Sequence, residues 1–224
     1  MDGLRSWLEY LSERPDLVFT ALGETLVYVV TVTVAAGTLA VVVGIVTRHR
    51  PFSKELALAI ASVFLTIPSL ALFTIFIPLV GLGFVPSFIA LFLYAILPIL
   101  RNTTAGLDSV DPSVLEAARG MGMTPRQTLV HVQLPLSWPV MLAGIRVSAL
   151  LTVGISAIAT LVAGGGLGDF IKSGLARLPL PNSLEAIWTG VLLSLGLALV
   201  IDAALLLLGR FTTPAGIRTK GKPA

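Results

Sequence analysis

The chain has 224 residues, 55% of them hydrophobic and only 12% charged, with a net charge of +3 and no cysteine. A soluble domain carries about 25% charged residues; too few polar residues remain here for a solvated skin, so lipid must cover much of the surface. The basic residues sit in separate short loops rather than on one face, which argues against nucleic-acid binding, and the missing cysteines exclude disulfide frameworks and thiolate metal sites.

The first 24 residues hold five acidic groups against Arg5 and Arg14, the wrong sign for the start of a secretory signal. Leu4, Trp7, Leu8 and Leu11 fall at helical spacing. They fit either an amphipathic helix lying on the membrane surface or an ordinary solvated turn. The first uncharged run long enough to span a bilayer is 26–46, ending at Arg48-His49-Arg50-Pro51. The next, 56–100, is too long for one helix, and its turn composition at Gly81 to Pro86 divides it into spans near 56–80 and 86–100. Prolines at 68, 78 and 98 lie inside or at the ends of these spans, where neighbouring helices can satisfy the freed carbonyls. A polar stretch occupies 101–135. A fourth span covers 136–162, interrupted only by Arg146, and a fifth covers 186–209, interrupted only by Asp202. Between them a loop opens at Gly164, Gly165, Gly166 and Gly168 and runs to Glu185. The expected fold is all-α and polytopic, with a segment at 1–20, a transmembrane domain at 20–208 and a basic tail at 209–224.

Loop charge sets the expected orientation. Ten Lys and Arg residues lie in 48–55, 101–135 and the tail, against four (Arg5, Arg14, Lys172, Arg177) on the other side. With five spans, the N-terminus is expected outside and the C-terminus in the cytoplasm.

The 101–135 stretch is long for a connector between helices, which are usually joined by about 2–8 residues, and it has helical grammar of its own. Asp111-Pro112 offers a cap followed by proline at the first helical position. Gly120 and Gly122 are expected to end that helix, and Thr124-Pro125 to begin another. The expected object is a pair of short helices with a sharp bend, compact enough to dock into a partner's groove.

Glu116-Ala117-Ala118, then Gly122 after three residues, then Val132-Gln133-Leu134-Pro135 after nine more, resembles the E-A-A loop of the permease subunits of ATP-binding-cassette (ABC) importers. Further stretches (Gly81 to Pro86, Leu97 to Thr103, Ala143-Gly144-Ile145-Arg146, Gly165 to Gly168) are most similar to permeases for the osmoprotectants glycine betaine, choline and carnitine; methionine importer permeases share the five-helix plan. The resemblance implies the transmembrane fold of a type I importer in the cytoplasmic membrane of a prokaryote. It implies that Glu116, Ala117, Ala118, Gly122, Met123, Thr124, Pro125, Leu134 and Pro135 belong to a loop coupling the chain to an ATPase. It also implies partners: an ATPase dimer that holds the ATP and Mg, a second permease subunit (identical or related) and an extracytoplasmic substrate-binding protein. This chain itself carries no phosphate loop of the form G-x-x-x-x-G-K-[ST], and Asp169 interrupts any dinucleotide fingerprint at Gly164 to Gly168. No cofactor, metal or catalytic residue is expected.

Two charges lie within the spans, each costing about 2.5–3.5 kcal/mol on insertion scales. Arg146 sits eight residues into its span, about 12 Å deep, and Asp202 about 10 Å from the same face. Equal depth permits a structural salt bridge; a proton relay or substrate counter-ion, and snorkelling of Arg146, are the alternatives. The glycines at 164–168 suggest a tight outer turn and are candidates for part of a gate. Among the span aromatics (Phe64, Phe73, Phe76, Phe92, Tyr94, Trp188), packing is favoured over cation–π contact with a quaternary ammonium.

Overall fold

The computed structural model describes residues 2–213 and the side chains of 5–213; Arg218, Lys220 and Lys222 of the expected basic tail lie outside the described residues. These residues form α1 (Asp2–Ser12), α2 (Pro15–Thr47), α3 (Pro51–Thr66), α4 (Ser69–Val80), α5 (Phe84–Asp108), α6 (Pro112–Gly120), α7 (Pro125–Thr128), α8 (Leu134–Ala159), α9 (Gly168–Ala176) and α10 (Ser183–Thr212), with no strand among them. Four helical runs are long and apolar enough to cross a bilayer, and the pair α3–α4 supplies a fifth crossing.

That pair corrects the single helix expected over 56–80. α3 and α4 meet at 96°. Pro68 has no N–H to donate and pushes the residue before it out of the helical region; Ile67 is extended, with φ −70° and ψ 132°. The Ile67 carbonyl, released from the ladder, accepts the hydroxyl of Tyr94 from α5. The pair still runs from one end of the bundle to the other. Lys54 at the start of α3 bonds Asp108 at the end of α5, and Gly83, just beyond α4, donates to the Val162 carbonyl past the far end of α8.

α5 is the most enclosed span. Its inner face joins Tyr28, Val32, Phe73, Leu91 and Ile99 in the main core. Lipid tails are as apolar as leucine, so close approach of small residues must hold these helices together. Ala36, Ala40 and Gly44 recur every four residues on α2 and are buried. Where α5 crosses α8, a methyl group at Gly144 would lie 2.7 Å from the Pro98 carbonyl oxygen.

Two further expectations need correction. The third span does not end at residue 100: α5 continues to Asp108, because Thr103, Thr104 and Gly106 are buried by neighbouring helices. The stretch 164–185 is not a plain loop, since α9 lies inside it and packs on α10. At the N-terminus a helix forms. Trp7 of α1 donates its indole N–H to the Thr189 hydroxyl of α10 at 3.0 Å, so α1 is fastened to the bundle rather than solvated on all sides.

Candidate functional site

Residues 109–133 form an elbow projecting from one end of the bundle. Its first arm, α6, begins as its composition demands. Pro112 occupies the first helical position and the Asp111 carboxylate accepts the Ser113 amide at 2.8 Å. That backbone hydrogen bond holds the Asp111 carboxyl below its ordinary range. The arm ends in a Schellman motif. The Met123 amide donates to the Ala118 carbonyl at 3.1 Å, the Gly122 amide donates to the Arg119 carbonyl at 2.9 Å, and Gly122 takes φ +84°. Gly122 alone therefore supplies the left-handed residue; Gly120 stays helical, which narrows the expectation that both glycines end the helix. Glu116 and Ala117 are exposed, whereas Ala118 is fully buried against the second arm.

The second arm opens with a capping box. The Thr124 hydroxyl accepts the Gln127 amide and the Gln127 side chain accepts the Thr124 amide, with Pro125 at the first helical position. The chain then passes without a break through a five-residue π-helical segment, Leu129–Gln133, into α8. Pro135 has no amide to offer the carbonyl four residues back, and the Leu134 amide reaches Leu129 instead. The expected span start at 136 thus shifts: Leu134 and Pro135 belong to α8. Just beyond the elbow, Gln133 donates to the Leu107 carbonyl at 3.1 Å and Ser137 to the Gly106 carbonyl at 2.8 Å. The elbow is bolted to the ends of α5 and α8, while Met121 at its tip is 72% exposed.

Deeper in the bundle, Arg146 of α8 and Asp202 of α10 are brought together. Arg146 Nε and Nη2 lie 2.9 and 2.7 Å from Asp202 Oδ1, and Nη2 lies 3.0 Å from Oδ2. The side chains are 31% and 26% exposed, so the pair looks onto open space rather than sitting in a sealed core.

The glycine turn lies at the opposite end. Gly165 and Gly166 have φ +75° and +91°, and three α2 side chains hold the turn. Glu24 accepts the Gly166 amide at 2.7 Å, Thr25 accepts the Leu167 amide at 2.9 Å, and the Tyr28 hydroxyl donates to the Gly164 carbonyl at 2.5 Å. Gly164 abuts Ser87 of α5, and a methyl group at Gly168 would lie 2.3 Å from the Ala157 carbonyl oxygen. Asp169 follows the turn. Burial pushes its carboxyl up and Glu24 adds to the rise, while Lys172 opposes it. α2, α5, α8 and α9 therefore converge here.

Sequence reasoning missed the α2 anchors Glu24, Thr25 and Tyr28. It also missed an aromatic column in which Tyr28, Phe84, Phe88 and Phe92 stack at 4.9, 5.9 and 6.0 Å between centroids. The four-residue spacing of the phenylalanines was the available signal. No group of three or more potential metal ligands exists among the described residues.

The sequence profile of the family described as "Binding-protein-dependent transport system inner membrane component" matches residues 20–213. The chain is 42% identical over 179 residues to the choline transport system permease protein OpuBB of Bacillus subtilis (strain 168), covering 80% of this chain and 81% of that one. It is 38% identical over 216 residues to the glycine betaine/carnitine/choline transport system permease protein OpuCB of the same strain, covering 96% and 97%. Among solved structures, an inward-facing form of the MetNI methionine ABC transporter matches with a TM-score of 0.76 at 25% identity, over 88% of this chain and 97% of that chain.

Proposed function

The chain belongs to the family of binding-protein-dependent transport system inner membrane components, and from that premise we propose that it is the permease subunit of an ATP-driven importer for quaternary-ammonium osmoprotectants: glycine betaine, choline or carnitine. The observation that carries the reading is similarity along nearly the whole chain to permeases named for these solutes. The methionine reading draws on the shared fold and on a lower identity.

In this reading the chain lies in the cytoplasmic membrane of a prokaryote, with the elbow and the C-terminus inside and the glycine turn outside. Two permease subunits line one path. The exposed apolar side chains of α10, Leu195, Leu199 and Val200 among them, suit it to face lipid. A separate ATPase dimer holds ATP and Mg, and an extracytoplasmic binding protein delivers solute.

The elbow takes the push. Glu116, Ala117 and Met121 face the ATPase, Ala118 and Gly122 keep the bend rigid, and Leu134-Pro135 delivers the displacement into α8. Through Ser137–Gly106 and Arg146–Asp202 the movement reaches α5 and α10. The test is ATPase stimulation of the assembled complex in liposomes with a panel of betaines, choline, carnitine and amino acids. Stimulation by the quaternary ammonium solutes supports the assignment; stimulation by methionine and none of them overturns it.

A further inference from the structure

Between the turn that follows α2 and the second arm of the elbow lies a cavity of about 300 Å³. Its polar lining is Arg48, His49, Arg119, Thr128 and Gln133, and no carboxylate faces it. Five buried side-chain atoms lack a hydrogen-bond partner among the described residues, and two of them, Thr128 Oγ1 and Arg48 Nε, belong to this one lining. Thr128 is only 6% exposed. Buried Thr104 and Thr152 donate to the carbonyl one turn back, whereas Thr103 and Thr128 do not; of these two, only Thr128 lines a cavity with a second unpartnered group, Arg48 Nε. Buried polar groups in folded proteins are almost always satisfied, and each exception asks for a missing partner.

The chemistry of that partner follows from what surrounds it. Arg48 uses Nη1 on the Ile45 carbonyl at 2.7 Å, leaving Nε over. Asp108 is engaged by Lys54 at 2.7 Å and Asp111 by the Ser113 amide, and neither Glu55 nor Glu116 belongs to the lining. What remains is a hydroxyl and basic groups with nothing negative among them. An acceptor-rich, compact anion satisfies such a set, and guanidinium forks match phosphate geometry.

We propose that this cavity binds a phosphate oxyanion that ties the end of α2 to the elbow, with Arg48 and Arg119 as its charge partners and the Thr128 hydroxyl as a donor. A bound phosphate would fix the second arm against the first span and so set how freely the elbow moves. The anion chemistry stands on the cavity itself. Arg48 directly follows the last residue of α2, so the orientation proposed above puts the cavity at headgroup depth. The phosphate then comes either from an anionic lipid headgroup or from solution.

The test uses the assembled complex in nanodiscs, its ATPase sites filled with a non-hydrolysable nucleotide. In discs of phosphatidylcholine alone, inorganic phosphate is titrated by calorimetry. In discs of equal parts phosphatidylcholine and phosphatidylglycerol, native mass spectrometry counts the anionic lipids retained. A lipid source predicts retained phosphatidylglycerol that Arg48→Gln or Arg119→Gln releases. A soluble source predicts saturable phosphate binding, weakened about tenfold by either variant, as the loss of one charge-assisted hydrogen bond implies. If neither arm distinguishes the wild type from the variants, the proposal fails. Thr128→Val is an independent check. It should melt no lower than the wild type without the anion, yet lose most of the melting-temperature rise that the bound anion gives. A lower anion-free melting temperature with that rise intact would make Thr128 merely structural and overturn the assignment.

Discussion

Arg146 and Asp202 close three contacts of 2.7–3.0 Å between α8 and α10, and their side chains remain 31% and 26% exposed. A charge within a span is tolerated when it is paired or faces a watery space. Here the pairing condition holds, so the pair ties α8, which continues from the elbow, to α10. Removing one partner strands the other. Asp202→Asn or Arg146→Gln should cost about 2–3 kcal/mol, less than a sealed pair because of the exposure. The swap Arg146→Asp with Asp202→Arg should recover part of the loss. Thermal melting of the detergent-solubilised complex checks this; equal loss in single and swapped variants would count against a pairing role and favour the relay or snorkelling alternatives.

Gly122 and Gly120 separate conformation from composition. Both have open space where a side chain would go, but only Gly122 has positive φ. Gly122→Ala should cost about 1–2 kcal/mol from left-handed strain alone, and should lower substrate-stimulated ATPase activity more than complex assembly. Gly120→Ala lies in helix and should stabilise α6 by up to about 1 kcal/mol. Hydrogen exchange across α6 reads both effects. If the two variants behave alike, the Schellman bend is not what the elbow depends on.

The Asp111 cap makes the first arm sensitive to acid. Its folded-state pKa is depressed by the Ser113 amide, so its contribution is present above the ordinary carboxylate pKa and is lost as pH falls through the lower, folded value. Exchange protection of the α6 amides should therefore hold near neutrality and decline in strongly acidic buffer. Asp111→Asn keeps a capping side chain and should remove that decline. An unchanged acid dependence in the variant would assign it to another group.

The Asp169 carboxyl shows the opposite sign. Burial and Glu24 raise its pKa, so the charged form is the disfavoured one in the folded chain. Its contribution to stability is greatest below the ordinary carboxylate value and is lost as pH rises through the folded one. Asp169→Asn should raise the melting temperature at neutral pH and leave it nearly unchanged in acid. A lower melting temperature at neutral pH would mean that the attraction to Lys172 outweighs burial.

The elbow was legible because its determinants are local. Asp111-Pro112, Thr124-Pro125 and Gly122 each act within four residues, and helix caps and left-handed turns are set at that range. Arg146 and Asp202 could be matched because hydropathy fixes depth, and equal depth permits two charges on neighbouring spans to meet when their helix faces turn towards each other. Proline was different. Pro78, Pro98 and Pro139 stay inside helices, whereas Pro68 divides one, and nothing in the immediate sequence separates the cases. The true end of α5 was hidden for a related reason. Hydropathy stops at Arg101, but Thr103 and Thr104 are buried by helices distant in sequence. The anchors of the glycine turn come from α2, 142 residues away for Glu24 and Gly166, a distance that no local pattern encodes.

The α3–α4 bend can be tested at Tyr94, since Pro68 explains why a carbonyl is released and Tyr94 explains why the break is stable. The Ile67 carbonyl loses its ladder partner inside an apolar layer and takes the tyrosine hydroxyl instead. A carbonyl left unpaired there would cost about 1–3 kcal/mol, enough to favour a different bend angle or water entry. Tyr94→Phe keeps the ring in the main core while deleting the hydroxyl, so packing loss is minimal and the deficit reports the hydrogen bond. The variant should melt lower by an amount of that order, and exchange protection should fall around residues 64–72 while α6 is unaffected. Pro68→Ala in the same background should rescue part of the loss, because without the proline Ile67 can return to helical backbone and its carbonyl can accept the Ala71 amide. If Tyr94→Phe melts like the wild type, the bend is held by the packing of Leu72 and Phe73 alone, and the Ile67 carbonyl must find another donor.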